Sequence, residues 1–157
     1  MKRDAEFWDK TWSRPYGRRN RHHKEIWEAV VPYLEGKIVD LGCGTALMYQ
    51  GSGADVTGID WSKTGIEEAT KNYPTGHFLV GNLKTTPFLS KSFDSCVLAG
   101  VLDYFDNWEE VLAEARRITK GNIIATLLNG FYGHQWHGIF QTHTVIKEVG
   151  NWVIIKI

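Results

Sequence analysis

The sequence has few of the residues that cross-link a chain or interrupt it. Its 157 residues include two cysteines and four prolines. Cys43 and Cys96 stand alone on different predicted elements, which excludes a disulfide framework or a cysteine-rich metal site and favours two small buried side chains. No apolar run approaches the ~20 residues that a membrane span needs, and the charged, aromatic N-terminus is unlike a secretory signal. We therefore expect a globular cytoplasmic protein without a membrane segment.

The chain also lacks a net charge, because 18 basic side chains balance 18 acidic ones. The distribution is nevertheless uneven: residues 1–24 hold eight Lys and Arg against three acids, and residues 25–157 hold ten against fifteen. The basic N-terminal part, which includes Arg18, could attract an anionic ligand. The plainer interpretation is a solvated helix face that is attracted to the acidic remainder of the chain.

Predicted strands alternate with predicted helices along the chain. The strands cover 37–41, 55–59, 77–80, 95–99, 122–128 and 152–157, and the helices cover 4–13, 19–35, 46–50, 63–72, 107–119 and 142–149. This alternation predicts an α/β fold with a doubly wound, mainly parallel sheet and helices on both faces. We expect one domain over 1–157, in which an N-terminal helical part (1–35) precedes the sheet-containing core (36–157).

A glycine turn follows the first predicted strand, and a carboxylate ends the second. Gly42 and Gly44 form the turn, where the absence of Cβ atoms lets backbone N–H groups approach a ligand. Asp60 stands at the tip of the next strand, where a carboxylate can accept both hydroxyls of a ribose. Together they predict a nucleoside-binding crevice. The dinucleotide fingerprint G-x-G-x-x-G fails, because Leu47 occupies the third glycine's position, which disfavours a nicotinamide-dependent oxidoreductase.

The segment Asp-Leu-Gly-Cys-Gly-Thr at 40–45 resembles the first motif of class I S-adenosylmethionine (SAM)-dependent methyltransferases. That motif is usually D-x-G-x-G-x-G, and its last glycine is Ala46 here. Further similarities cover roughly residues 37–128: Phe93–Ala99 resembles the F-D-x-V strand motif, Val101–Tyr104 the V-L-E-H-like turn, and Glu114–Ile118 the E-x-x-R-x helix pattern. The last of these we interpret as packing and surface pairing rather than catalysis.

The resemblance implies a Rossmann-like fold with SAM as cofactor and S-adenosylhomocysteine (SAH) as its product. The cofactor-binding residues that it implies are Asp40, Gly42, Cys43, Gly44, Asp60, Trp61, Asn82, Leu83, Ala99, Gly100, Trp12 and Arg18. Asp60 would hold the ribose hydroxyls, and Asn82 with the backbone of Leu83 would meet the adenine ring. Trp61 would lie against adenine; equally, it could simply cap the apolar core. The aromatic N-terminus resembles the lid helix of small-molecule members.

Catalytic candidates follow the fourth and fifth predicted strands. Methyl transfer depends chiefly on aligning the nucleophile, the methyl group and the sulfur, and a base helps only an acceptor that arrives protonated. Asp103 and Tyr104 would face the methyl side of the crevice in this fold. His134 and His137 could act as bases near neutral pH, although covering an exposed sheet edge is the alternative explanation. No residue spacing predicts a metal site.

The family fold usually has a seventh, antiparallel strand near the sheet edge. Only six strands are predicted here, so we expect that strand to be absent and the edge to be covered by residues 129–141 or by a second copy in a homodimer. We expect methyl transfer to a small molecule, with a non-catalytic SAM- or SAH-binding regulator or partner subunit as the alternative. A nucleic-acid acceptor is disfavoured, because no N/D-P-P-Y/F-like motif occurs and most of the chain is acidic.

Overall fold

The computed structural model describes residues 4–14, 23–128 and 143–157. Within these ranges seven strands form one sheet in the order β3-β2-β1-β4-β5-β7-β6. The strands are β1 (Ile38–Leu41), β2 (Val56–Asp60), β3 (His77–Val80), β4 (Ser95–Ala99), β5 (Ile123–Leu128), β6 (Thr144–Val149) and β7 (Trp152–Lys156). Strands β1 to β5 are parallel to one another, whereas β7 is antiparallel to both of its neighbours, β5 and β6.

Four α-helices are described, namely α1 (Ala5–Ser13), α2 (His23–Val30), α3 (Lys63–Asn72) and α4 (Trp108–Ile118). The predicted helix over 19–35 ends earlier than expected, at Val30, and continues as a 3₁₀ turn at Val31–Tyr33 with Pro32 inside it. Proline lacks the N–H that an α-helix needs at an interior position. The expected helix over 46–50 is likewise a 3₁₀ turn, Leu47–Tyr49.

Apolar side chains alternate between the two faces of the sheet, as they must along a strand. On β5, Ile123, Ala125 and Leu127 join one buried cluster with α4, whereas Ile124 joins a second cluster with α2. The central strands β1, β4 and β5 are buried on both faces, which explains their nearly continuous apolar sequences. The predicted doubly wound, mainly parallel α/β sheet is confirmed.

The expected absence of a seventh strand is wrong. Residues 144–149, predicted as part of a helix over 142–149, form strand β6, and β7 lies antiparallel between β5 and β6. Gly150 has a φ of +57° and begins the two-residue turn that joins the two strands. Glycine at the first turn position is typical of a tight hairpin, and β-branched residues in β6 favour an extended chain.

The sheet edge beyond β5 is therefore occupied by β7 and β6, both of which belong to this chain. The cover expected from residues 129–141 lies outside the described residues, and a homodimer stays a prediction. No helix in the described part of the chain has the length and apolar character to cross a membrane.

Candidate active site

A cavity of about 200 Å³ lies at the carboxyl ends of the parallel strands. Six aromatic side chains line it, namely Trp8, Trp12, Trp61, Tyr104, Phe105 and Trp152. Asp40 and Asp60 also line it, and no Lys, Arg or His does so among the described residues. The charged side chains of this lining are thus exclusively acidic, and its aromatic faces add further negative electrostatic character.

Sharp backbone geometry shapes the turn after β1. Gly42 and Gly44 have φ values of +85° and +50°, which glycine adopts without steric cost. The turn is also crowded: a Cβ added to Gly42 would lie 2.4 Å from a Val101 methyl, and one added to Gly44 would lie 2.7 Å from the Trp12 ring. Side chains at these two positions would therefore push neighbouring groups of the cavity wall apart.

Asp60 ends β2 and fastens the glycine turn to it. One carboxylate oxygen accepts the N–H of Gly44 at 2.9 Å, and the other accepts the N–H of Ser62 at 2.8 Å. Burial raises the pKa of Asp60 above its ordinary value, although these two backbone donors act in the opposite direction. Each oxygen retains a lone pair, so the carboxylate can also accept hydroxyl groups from a ligand in the cavity.

Asp40 lies deeper, at the floor of the cavity. Its Oδ2 accepts the hydroxyl of Tyr49 at 2.9 Å, while its buried Oδ1 has no hydrogen-bond partner among the described residues. The same holds for the buried Oγ1 of Thr45. Burial raises the pKa of Asp40 to about 7, with the nearby Asp60 adding to the increase. Because buried polar atoms are normally satisfied, these two indicate contacts with a ligand.

Trp61 and Phe105 meet at one end of the cavity. Their rings pack edge to face, with an interplanar angle of 69° and centroids 5.3 Å apart. Leu83 also lines the cavity. Lys84 lies outside the lining, where its Nζ is 5.8 Å from the Phe105 ring and 2.7 Å from a Glu110 carboxylate oxygen. Trp61, Phe105 and Leu83 thus form an apolar corner of the cavity, in which either aromatic face could meet a ring system.

Trp8, Tyr104 and Trp152 supply aromatic walls elsewhere in the cavity. Trp8 packs edge-on against Tyr104, with centroids 4.8 Å apart. Trp152, at the first position of β7, pairs with Leu128 at the end of β5, and its ring would lie 2.9 Å from a Cβ added to Gly100. The absence of a side chain at Gly100 therefore lets this tryptophan pack closely against the turn after β4.

The structure brings most of the predicted cofactor residues together. Those that line the cavity are Trp12, Asp40, Gly42, Cys43, Gly44, Asp60, Trp61, Leu83, Ala99 and Gly100. Burial raises the pKa of the Cys43 thiol well above its ordinary value, so this side chain stays neutral. Asn82 is not part of the lining, since it is exposed and its Oδ1 accepts the N–H of Lys84 at 3.0 Å. Arg18 lies outside the described residues.

Of the catalytic candidates, only Tyr104 lines the cavity among the described residues. Asp103 is buried, and its Oδ2 accepts the N–H of Leu128 at 3.4 Å, so it joins the turn after β4 to the end of β5. This placement favours a supporting position behind Tyr104. His134 and His137 lie outside the described residues. A catalytic role for any of these four residues stays a prediction.

Sequence reasoning missed Phe105, Leu128 and Trp152 as lining residues. Phe105 directly follows the V-L-E-H-like turn, so its position next to Tyr104 was a usable signal. Trp152 had no such signal, because it reaches the cavity only through the antiparallel pairing of β7 with β5.

Comparisons with known proteins agree with this geometry. A family model described as a methyltransferase domain matches residues 39–125. The demethylmenaquinone methyltransferase of Thermotoga maritima is 30% identical over 110 residues, which are 67% of this chain and 48% of that protein. The chain thus spans about half the length of this curated relative.

Two solved structures share the fold. A SAM-dependent methyltransferase from Aquifex aeolicus matches with a TM-score of 0.73 at 16% identity, over 93% of this chain and 98% of that one. A chain from the complex of the Haloferax volcanii Trm112 methyltransferase activator with a methyltransferase matches with a TM-score of 0.69 at 22% identity, over 85% and 67%. At these identities the matches show the architecture alone.

Proposed function

Since the chain belongs to the family of class I SAM-dependent methyltransferase domains, we propose that it binds SAM and transfers its methyl group to a small-molecule acceptor. The observation that carries the proposal is the contact between the glycine turn and the acid of β2, where Asp60 accepts the N–H of Gly44 at 2.9 Å beside the cavity. This contact holds the glycine turn against the carboxylate that we assign to the ribose, at the edge of the cavity.

The charge and shape of the cavity fit this cofactor. SAM carries a sulfonium, an ammonium and a carboxylate group, so it is positively charged overall, and the charged side chains in the described lining are Asp40 and Asp60. The partnerless Oδ1 of Asp40 and Oγ1 of Thr45 are polar atoms that an ammonium group could satisfy directly or through water. Trp61 and Phe105 offer the aromatic surface on which a base stacks. We assign the ribose hydroxyls to Asp60.

The described residues would promote transfer by orientation and by excluding water. When bound, SAM supplies a methyl group on a positively charged sulfur that is already activated toward a nucleophile. The walls formed by Trp8, Tyr104 and Trp152 would hold an acceptor against that group and keep water out. Orientation of this kind is worth roughly 7–11 kcal/mol at its best. The Tyr104 hydroxyl is the described group best placed to hold or move an acceptor proton.

Calorimetry with SAH, SAM and NAD tests the ligand class. We expect SAH and SAM to bind and NAD not to bind. Binding of NAD without binding of SAH would contradict the proposal. Incubation with methyl-labelled SAM and fractionated metabolites then tests transfer, with an acceptor identified as the labelled small molecule.

A non-catalytic or partner-dependent protein is the second candidate. It is favoured by the structural match to a chain solved in a complex with a methyltransferase activator. In this case the chain would bind SAH but label no metabolite on its own. The cytoplasmic location predicted from the sequence is part of both proposals.

A further inference from the structure

We propose that Asp9 is a positioning residue that holds helix α1 over the cavity, so that ligand exchange requires its contacts with α3 to open. We call these contacts the Asp9 latch: Oδ1 of Asp9 accepts the hydroxyl of Ser62 at 2.6 Å and the N–H of Thr64 at 3.0 Å. The inference rests on the proposed function for the identity of the ligand, but the latch itself is a property of the protein without a ligand.

The latch lies where a carboxylate is stabilised best. The first N–H groups of a helix have no partner within it, and the helix dipole favours a negative charge there. Ser62 is the N-cap of α3 and accepts the N–H of Gly65 at 2.9 Å, while Thr64 belongs to the first turn. The hydrogen bond from Ser62 lowers the pKa of Asp9 below its ordinary value, so the latch carries a full charge near neutral pH.

Two tryptophans on α1 depend on this docking. A Cβ on Gly44 would lie 2.7 Å from the Trp12 ring, and one on Gly65 would lie 3.0 Å from it, so the indole fits a gap left by two glycines. Trp8, one turn earlier, packs against Tyr104. Both rings line the cavity. When α1 is docked, it therefore contributes part of the cavity wall from above the glycine turn.

Apart from the Asp9 latch, α1 is held by the packing of Trp8 and Trp12. The helix has nine residues, none of which is fully buried. Isolated helices shorter than ~12–15 residues are marginal in water, so α1 should lose much of its structure once it separates from α3. With α1 docked, the cavity is about 200 Å³, below the roughly 300–1,000 Å³ of typical ligand sites. With α1 docked, the cavity is therefore small, although it is still open to solvent.

Ser62 connects the latch with the ligand site. It donates its hydroxyl to Asp9 and its backbone N–H to Asp60, the acid that we assign to the ribose. The carboxylates of Asp9 and Asp60 thus accept hydrogen bonds from the same residue, one from its hydroxyl and one from its backbone N–H. A ligand that fixes Asp60 would also fix Ser62 and favour the docked position of α1.

Hydrogen exchange on the ligand-free protein tests the latch directly. We expect Asp9→Ala to increase exchange over residues 5–13 by about tenfold, since two hydrogen bonds are lost, while exchange in β1–β5 stays unchanged. Asp9→Asn keeps an accepting oxygen but loses the charge, so it should restore part of the protection. Glu6→Gln is the matched control, because Glu6 is an exposed carboxylate on the same helix and pairs with Lys10, away from α3. Equal exchange over 5–13 in Asp9→Ala and the unsubstituted protein would overturn the latch.

Stopped-flow dissociation of SAH tests the control of ligand exchange. We expect the dissociation rate to rise about tenfold in Asp9→Ala, to rise less in Asp9→Asn, and to stay near the unsubstituted value in Glu6→Gln. Faster exchange of α1 without faster SAH release would overturn the gating role. If the unsubstituted protein binds no SAH, the proposed function and the gating role fail together, whereas the exchange data still decide whether Asp9 holds α1.

Discussion

Among single residues, Asp60 has the most constrained position in the site. Its two carboxylate oxygens are fixed by backbone donors from both sides, Gly44 and Ser62. A longer or uncharged side chain would not meet both donors and the cavity at the same time. The residue therefore links the geometry of the glycine turn with the affinity for a ribose.

Asp60→Ala should weaken SAH binding by about 10–100-fold, because charge-assisted hydrogen bonds worth roughly 1.5–3 kcal/mol are removed. Calorimetry measures the dissociation constant. Asp55→Ala is the matched control, since Asp55 is an exposed carboxylate just before β2, at the end of that strand away from the cavity. An unchanged dissociation constant in Asp60→Ala would contradict the assignment of the ribose.

The buried carboxyl of Asp40 should make the unfolding free energy depend on pH. Burial raises its pKa from 3.8 to about 7, so the folded state holds the proton more tightly than the unfolded state does. Its contribution to the unfolding free energy is fully present below pH ~4 and is lost as the pH rises through ~7. Asp40→Asn, whose amide oxygen still accepts from Tyr49, should remove this loss.

Urea denaturation of both proteins between pH ~4 and pH ~8 measures the effect. We expect the variant to gain stability relative to the unsubstituted protein as the pH rises. A constant difference across the range would show that Asp40 does not titrate there.

The sequence predicted the residues of the glycine turn and Asp60 because their roles are set by local geometry. A turn that needs positive φ and a carboxylate at a strand tip are both visible in a short segment. Phe105 and Trp152 were missed because their positions depend on contacts between distant elements. Asn82 was predicted to face the cofactor, but its side chain instead accepts the N–H of Lys84 within its own turn.

Among the secondary-structure elements, α4 and the segment before β4 are joined by one buried carboxylate. The Glu114 carboxylate accepts hydrogen bonds from Nε and Nη2 of Arg117, at 2.7 and 2.6 Å. It also accepts hydrogen bonds from the backbone N–H and the hydroxyl of Thr86, at 2.7 and 2.6 Å. The hydrogen bonds from Arg117 lower the pKa of Glu114 to about 2. Glu114 and Arg117 of the E-x-x-R-x pattern therefore form an ion pair that supports the structure, in line with the interpretation of this pattern as packing and surface pairing.

Glu114→Gln should lower the unfolding free energy by about 1–2 kcal/mol, because the Arg117 guanidinium, which is partly exposed to solvent, loses its charged partner. Urea denaturation at neutral pH measures this change. The stability that Glu114 contributes is present above pH ~4.5 and is lost as the pH falls toward ~2. Glu109→Gln, an exposed change on the same helix, should leave the unfolding free energy within about 0.5 kcal/mol. A similarly small effect at Glu114 would show that the pair adds nothing.

The turn of the β6–β7 hairpin should depend on the glycine at position 150. Gly150 has a φ of +57°, and a Cβ there would meet nothing within 4 Å. The cost of Gly150→Val is therefore conformational, about 1–2 kcal/mol in the unfolding free energy. Gly150→Asn should cost less, since asparagine tolerates this conformation. Equal losses for both variants would indicate that the turn conformation is not the cause.

This hairpin is also the part of the fold that the sequence did not reveal. Residues 144–149 combine β-branched side chains with Lys147 and Glu148, and most of them are exposed on the edge strand. The alternation that marks a half-buried strand is therefore weak. Pairing with β7 decides the conformation, whereas the fully buried strands β1, β4 and β5 were evident from their apolar runs.

For the whole molecule, the cavity and the core are largely separate. The two buried clusters contain no residue of α1, yet α1 contributes Trp8 and Trp12 to the cavity wall. Variants of α1 should therefore change ligand binding more than they change global stability. Ligand binding at the sheet edge, in contrast, should stabilise the entire fold, because the site is built from the ends of β1, β2, β4, β5 and β7.

The last prediction measures that stabilisation. A ligand that binds only the folded state at 100 times its dissociation constant adds about 2.7 kcal/mol, which corresponds to a rise in Tm of roughly 5–11 °C for a chain of this size. We expect this rise with SAH in a thermal-denaturation experiment, and no rise with NAD at the same concentration. The Asp60→Ala variant should show a smaller rise at equal SAH concentration. A rise of equal size in Asp60→Ala would mean that SAH binds away from the glycine turn.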